Sequence, residues 1–281
     1  MKNQAKPDLY QTVTDTIIAA LEKGPKAFRR CWKSTMPVNA STGRSYSGIN
    51  VLLLWLAADK AGYTSSEWLT YKQAEAVGAQ VRKGEKGTHI VFFKPLKVKK
   101  TDDKGKEVER TVPLLRGFVV FNREQIDGLP ESEAVEGIED LDAFVRQTGA
   151  IVKHGEPAYS PGKDVVYLPT IDAFDTVQHY YATAFHELSH WTGHKSRLDR
   201  DLKGRFGDES YAAEELIAEL SAAFLCAHAH IEGDLRHAGY IKSWLRVLRN
   251  DKRAIFTAAK HATAASEYLL DCQSVEQAKA A

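Results

Sequence analysis

Cysteine is scarce in this 281-residue chain: Cys31, Cys226 and Cys272 lie far apart, with no C-x-x-C spacing. That excludes a disulfide framework and a cysteine-built zinc site, and it fits a reducing compartment. Long hydrophobic runs are missing too, since the longest, from Val51 to Ala58, is far too short to span a bilayer. The opening residues, MKNQAKPDLYQ, lack the apolar stretch of a signal peptide, so a cytoplasmic protein with no membrane partner is expected. Net charge nearly cancels at +1, while 43% apolar and 27% charged residues exclude a disordered or collagen-like chain.

The near-zero charge hides an asymmetry. Residues 1–130 carry 22 Lys and Arg against 13 Asp and Glu, and the remainder carries 16 against 24. A basic half followed by an acidic half suggests two bodies with different partners, the basic one suited to a polyanion such as nucleic acid. The stretch from Pro130 to Leu141 combines Pro, Gly and acidic residues where the sign changes, so domains are expected at 1–130 and 131–281.

Periodicity makes the basic half α+β. Leu9, Val13, Ile17 and Leu21 recur every four residues, predicting a helix from Asp8 to Lys23. Further helices are expected from Val51 to Ala61 and from Thr70 to Val77, and then Val/Phe-rich strands joined by hairpins. The acidic half reads as mainly helical. A short helix (Leu141 to Gln147) and two strands (Ala150 to His154, Asp164 to Leu168) precede a long helix capped by Asp172. Helical patterns follow from Tyr211 to Ala229 and from Gly239 to Leu270.

Within the long helix stands His186-Glu187-Leu188-Ser189-His190, an H-E-x-x-H motif. Four residues make about one turn, so both imidazoles project from one face and can meet one Zn²⁺ at about 2.0–2.1 Å. Glu187 then lies where it can take a proton from a water whose pKa the metal lowers, and pass it to a leaving amine. The alternative is a surface helix on which two histidines happen to stack. A catalytic zinc needs a third ligand, and Glu215, one turn from Glu219 among apolar neighbours, is assigned to that role. Glu219 is expected to orient a ligand histidine through its other ring nitrogen. Glu214 is expected to be a solvated helix charge. A metzincin would need a third His where Ser196 stands, and His194 is out of register. Val165 to Leu168 is placed, by analogy alone, as an edge strand that could pair with an extended substrate.

In the basic half, aromatics interleave with cations. Arg29 and Trp32, Arg44, Tyr46 and Asn50, and Arg82, Lys83 and Lys86 on an expected hairpin turn are the candidate DNA-contacting residues. Cationic grooves with aromatic faces hold single strands without reading sequence. For the aromatics core packing is the competing reading, and for the cations mere solubility.

The motifs GRSYSGIN (43–50), VRKGEK (81–86) and FNREQ (121–125) resemble the N-terminal domain of ArdC-type antirestriction proteins and the N-terminal part of plasmid TraC primases. HELSHWTGH (186–194) and YAAEELIAE (211–219) resemble the same family's zincin-like metallopeptidase domain. The resemblance implies an α+β single-stranded-DNA-binding domain followed by a mainly helical zincin-like domain. It implies a mobile-element protein that protects incoming DNA from host restriction. His186, His190 and Glu215 would be the ligands of Zn²⁺ or Mn²⁺, and Glu187 the general base. Single-stranded DNA, duplex DNA, a protein substrate and a restriction enzyme are the partners to consider. Two other readings stay open: a strand-coating or conjugation accessory protein with a structural metal, and a metallopeptidase recruited to DNA.

Overall fold

The computed structural model describes all residues except 1–7, 25–27, 29–34, 102–106, 133–136, 203–208, 233–239 and 281, with backbone alone for 94–101, 107–113, 209 and 274–280. Helix α1 (Leu9–Glu22) starts at Asp8, whose carboxylate accepts from the Tyr10 and Gln11 amides at 3.0 and 3.4 Å. Strand β1 (Val38–Asn39) leads to α2 (Ile49–Ala61), which stops at Gly62 in the left-handed conformation at φ 76°. Strand β2 (Glu67–Leu69) precedes α3 (Tyr71–Ala76), closed by a reciprocal Thr70–Gln73 capping box.

Strands β3 (Gln80–Val81), β4 (Thr88–Thr101), β5 (Glu107–Asn122) and β6 (Ile126–Asp127) follow. The β4–β5 pair is one long antiparallel hairpin, and the sheet order is β1-β2-β5-β4. Strand β3 pairs with β6 rather than with β4, so residues 82–87 form a connection between two sheets and not the expected hairpin turn.

Helix α4 (Leu141–Gln147) opens the acidic half. A three-stranded sheet follows, formed by β7 (Ile151–His154), β8 (Ala158–Ser160) and β9 (Val165–Leu168) in the order β7-β9-β8. Strand β9 is thus the middle strand, with both ladders occupied by β7 and β8. The edge position expected for Val165 to Leu168 is therefore not theirs; the edges are β7 and β8, and β8 was not expected from the sequence. Helix α5 (Val177–Thr192) is capped by Thr176, whose hydroxyl accepts from the His179 amide at 3.1 Å. The expected cap, Asp172, lies in a preceding 3-10 turn. Helices α6 (Glu209–His228), α7 (Ile241–Asn250) and α8 (Ala254–Ala280) complete the chain. A single helix from Gly239 to Leu270 does not form, because the backbone breaks at Asp251. No helix of the described residues is long and apolar enough to cross a membrane.

The two halves bury side chains in one core. Val13, Ile17, Leu21 and Trp55 pack with Leu216, Leu220, Phe224, Trp244 and Ile255, and each fully buried large side chain adds roughly 1.5–3 kcal/mol. Polar ties reinforce the seam. The Thr14 hydroxyl donates to the Lys252 carbonyl at 2.7 Å, and Thr263 of α8 accepts from the Gly48 amide at 2.8 Å. That second bond satisfies an amide at the start of α2, where no local side chain caps the helix. A separate cluster, with Phe144, Val166, Leu168, Phe185, Leu188 and Leu225, joins β9 to α5 and α6 and fixes the bed of the histidine helix.

Candidate metal centre

Helices α5 and α6 cross at small residues, with the Ser189 and Ser221 hydroxyls 2.8 Å apart in the interior. This close approach faces His186 and His190 toward Glu215. The two Nε2 atoms lie 3.1 Å apart, and the Glu215 carboxylate oxygens are 3.6 Å from each of them. All three ligand atoms fall within 4.8 Å of one another. Donors at 2.0–2.1 Å around one tetrahedral ion would be separated by about 3.3 Å, so spacing and chemistry both suit a divalent cation. Glu187, on the same turn of α5, is 5% exposed.

Of the outer ring nitrogens, His190 Nδ1 is hydrogen-bonded to Glu214 at 3.1 Å, while Glu219, 1% exposed, lies 3.8 Å from His186 Nδ1, close enough for its charge to act but beyond a hydrogen bond. Glu214 is therefore not the solvated charge expected from sequence. It is 8% exposed, and Arg200 forks onto it through Nε at 3.0 Å and Nη2 at 2.8 Å. Arg200 also donates to the Ser189 carbonyl at 2.6 Å and to Thr192 Oγ1 at 2.8 Å, so the loop after α5 is tied to both helices. Gly193 makes room for it: a Cβ there would lie 2.9 Å from Arg200 Nη2.

Burial alone would lower the His190 pKa, but the Glu214 hydrogen bond and the charges of Glu214, Glu215 and Glu187 overturn it and hold the imidazole up to about 9. For Glu214, burial pushes the carboxyl upward, while His190 and Arg200 bring it below its ordinary value. A cleft opens beside the cluster, lined by Tyr159, Pro161, His190, Tyr211 and Glu215. Burial first, then hydrogen bonds to Tyr240 and Glu215, keep the Tyr211 hydroxyl protonated there.

His194 is not part of the cluster; its Nδ1 bonds the Ser196 hydroxyl at 2.8 Å and closes the turn after α5. Beside it Arg197 stacks 3.8 Å over Trp191 and pairs with Asp164, which Tyr159 also contacts at 2.9 Å, bracing the cleft wall. Sequence reasoning missed Arg200, Glu214, Tyr211 and β8. Only Glu214 and Tyr211 carried any local signal, being one residue before Glu215 and one turn before it on the same helix.

The candidate DNA residues differ in their exposure. Arg29 and Trp32 lie outside the described residues. Tyr46 is 8% exposed, with its hydroxyl 3.2 Å from the Asn39 amide. Asn50, equally buried, exchanges two hydrogen bonds with the Val91 backbone at 2.8 and 2.9 Å, fastening α2 to β4. Both side chains are thus nearly buried, with their polar groups engaged inside the fold. Arg82 is exposed but engaged by Glu85 at 3.0 Å and Asp127 at 3.2 Å. Arg44, Lys83 and Lys86 are exposed.

A two-helix cradle with H-E-x-x-H on one helix and a carboxylate on the next, beside a small sheet, defines a zincin-like fold. A family model described as zincin-like metallopeptidase matches residues 139–261, and one for the N-terminal domain of the anti-restriction factor ArdC matches residues 7–121. The metal-free crystal structure of ArdC from plasmid R388 is 46% identical, with TM-score 0.81, covering 95% of this chain and 98% of that one. The Mn(II)-bound structure is 45% identical, with TM-score 0.79 over the same coverage. The protein y4eC of Sinorhizobium fredii is 40% identical over 98% of this chain and 95% of its own length. A DNA primase TraC of Escherichia coli is 40% identical over 95% of this chain but only 27% of its own length. The TraC likeness thus runs beyond the basic half. The chain belongs to the ArdC family of antirestriction proteins.

Proposed function

We infer that this protein binds single-stranded DNA through residues 1–130 and carries in residues 131–281 a metal-dependent peptidase centre, together protecting incoming DNA from host restriction. The observation that carries the second part is the convergence of His186, His190 and Glu215 beside the buried Glu187. A Zn²⁺ or Mn²⁺ held there would act as a Lewis acid and make water acidic enough to surrender a proton. Glu187 takes that proton and delivers it to the leaving amine. Glu214 holds the outer nitrogen of His190 by a hydrogen bond, keeping its inner nitrogen on the metal side, and Glu219, 3.8 Å from His186 Nδ1, is placed to do the same for His186. Tyr211, a proton donor at the cleft, can hydrogen-bond an oxygen that gains charge. Support for the DNA part comes from the excess of cations in residues 1–130 and from membership in a family with a TraC primase among its relatives.

Glu187→Gln in the full chain tests the catalytic claim. Metal and DNA binding are expected to survive while protection against restriction is lost. Protection that survives with the general base gone would mean that the protein works by covering DNA, as its basic half would allow.

A further inference from the structure

The two faces of the β4–β5 hairpin differ. Register sets Ile90 opposite Phe118, Phe92 opposite Arg116 and Lys94 opposite Leu114, and residues directly opposed share a face. On the other face, Phe93 is also 48% exposed, yet its ring leans on Phe256 of α8 and Tyr10 of α1 at separations of 6.1 and 6.3 Å. Leu9 of α1 covers Gly117 there, 3.7 Å from where a Cβ would stand. Among the described residues the first face is covered at its root, where Ile90 and Val120 pack against Leu54 and Trp68. Beyond that root Phe92 is 48% exposed and Phe118 44%, their rings edge to face at 5.2 Å, with Arg116 and Leu114 exposed beside them.

We propose that Phe92 and Phe118 form a stacking platform for the unpaired bases of a single-stranded nucleic acid, with Arg116 placed for the adjoining phosphate. This rests on the DNA-binding reading above and gives it a surface that the sequence motifs did not mark. Exposed aromatic rings are a costly surface unless something stacks on them, and a base presents a flat face whatever its sequence. The charge beside the rings favours a polyanion: residues 1–130 hold 22 cations against 13 anions, and the exposed Arg116 stands directly opposite Phe92 on this face. A second copy docked on the same face would bring Arg116 toward its own image.

The test uses the full chain and a fluorescein-labelled oligo-dT strand of roughly 20 nucleotides, followed by anisotropy across a salt series. Alanine at both Phe92 and Phe118 is expected to weaken binding about tenfold or more, with the salt slope unchanged. Leucine at both positions, which keeps apolar bulk but removes the flat rings, is expected to weaken it as well, with an unaltered melting temperature. Arg116→Ala is expected to reduce the slope by about 0.7, as one phosphate contact on a single strand requires. An abasic strand is expected to bind wild type and the double variant alike, and the indole of Phe118→Trp to be quenched by oligo-dT. A wild-type chain that does not bind the strand overturns the DNA reading itself. Wild-type binding that both double variants retain overturns the platform and leaves that reading standing. A wild-type dimer that the double variants dissolve would assign the face to a second copy and also overturn the platform.

Discussion

At the metal centre the charged side chains brace one another. Arg200 grips Glu214, Glu214 holds His190, and Glu219 stands behind His186, all of them nearly excluded from solvent. On the β4–β5 hairpin the exposed Phe92 and Phe118 rest on each other, with Arg116 in solvent beside them. On the proposals above, the difference follows from the ligand each region would take. A divalent cation demands donors fixed to tenths of an ångström, and only a packed, cross-braced interior holds side chains that closely. A nucleic-acid strand read without sequence tolerates variable geometry, so exposed rings and solvated cations suffice. Both regions still lean on one core, in which α1 and α2 pack with α6, α7 and α8.

That shared core gives the largest expected effect. Phe224, 1% exposed and 5.9 Å from the Trp55 ring, joins the halves, and Phe224→Ala should cost about 3–5 kcal/mol. Calorimetry of the full chain should show one transition moving to lower temperature. Two transitions, only one of them shifted, would mean that the halves are separate bodies. Metal loading should stabilise the chain by about 2.7 kcal/mol at a hundredfold excess over Kd, which a thermal melt with and without chelator would record. Next in size is the brace. Glu214→Gln or Arg200→Met should weaken metal affinity about 10–100-fold, measured by competition with a chromogenic chelator, while leaving oligo-dT binding unchanged. A fall in both affinities would break the contrast between the two regions.

The smallest effect belongs to the cleft wall. The Arg197 hydrogen bonds lead in holding the Asp164 carboxyl below its ordinary value of 3.8. Its stabilisation is therefore complete above pH 3.8 and is lost as pH falls through the lowered folded-state value. Asp164 is 37% exposed, so solvent screening limits the pair, and Asp164→Asn should cost under about 1 kcal/mol near neutrality. The gap to wild type in urea melts should close in acid.

Much of this was legible in the sequence, for reasons that differ by element. His186 and His190 share a face because helical spacing alone puts them there. Asp8 and Gly62 end their helices through local chemistry that neighbouring residues reveal. Glu214 was misread because one step along a helix does not say what packs over it. Its burial is decided by Arg200, from a loop remote in sequence pattern, and by the room Gly193 leaves. Strand β9 was taken for an edge because three-residue β8 is too short to show alternation, and pairing order is a property of the assembled sheet. The burial of Tyr46 and Asn50 could not be read from their turn-rich motif, because their polar partners, Asn39 and the Val91 backbone, are set by tertiary contact.

The central claim is that His186, His190 and Glu215 form one divalent-metal site in an intact fold, and metal content of the full chain tests it most directly. After loading with Zn²⁺ or Mn²⁺ and exhaustive dialysis, about one equivalent should remain on wild type and essentially none on Glu215→Ala, with the far-ultraviolet spectrum and oligo-dT affinity of the variant unchanged. A wild-type chain that retains no metal, or a Glu215→Ala chain that keeps a full equivalent, would contradict the account.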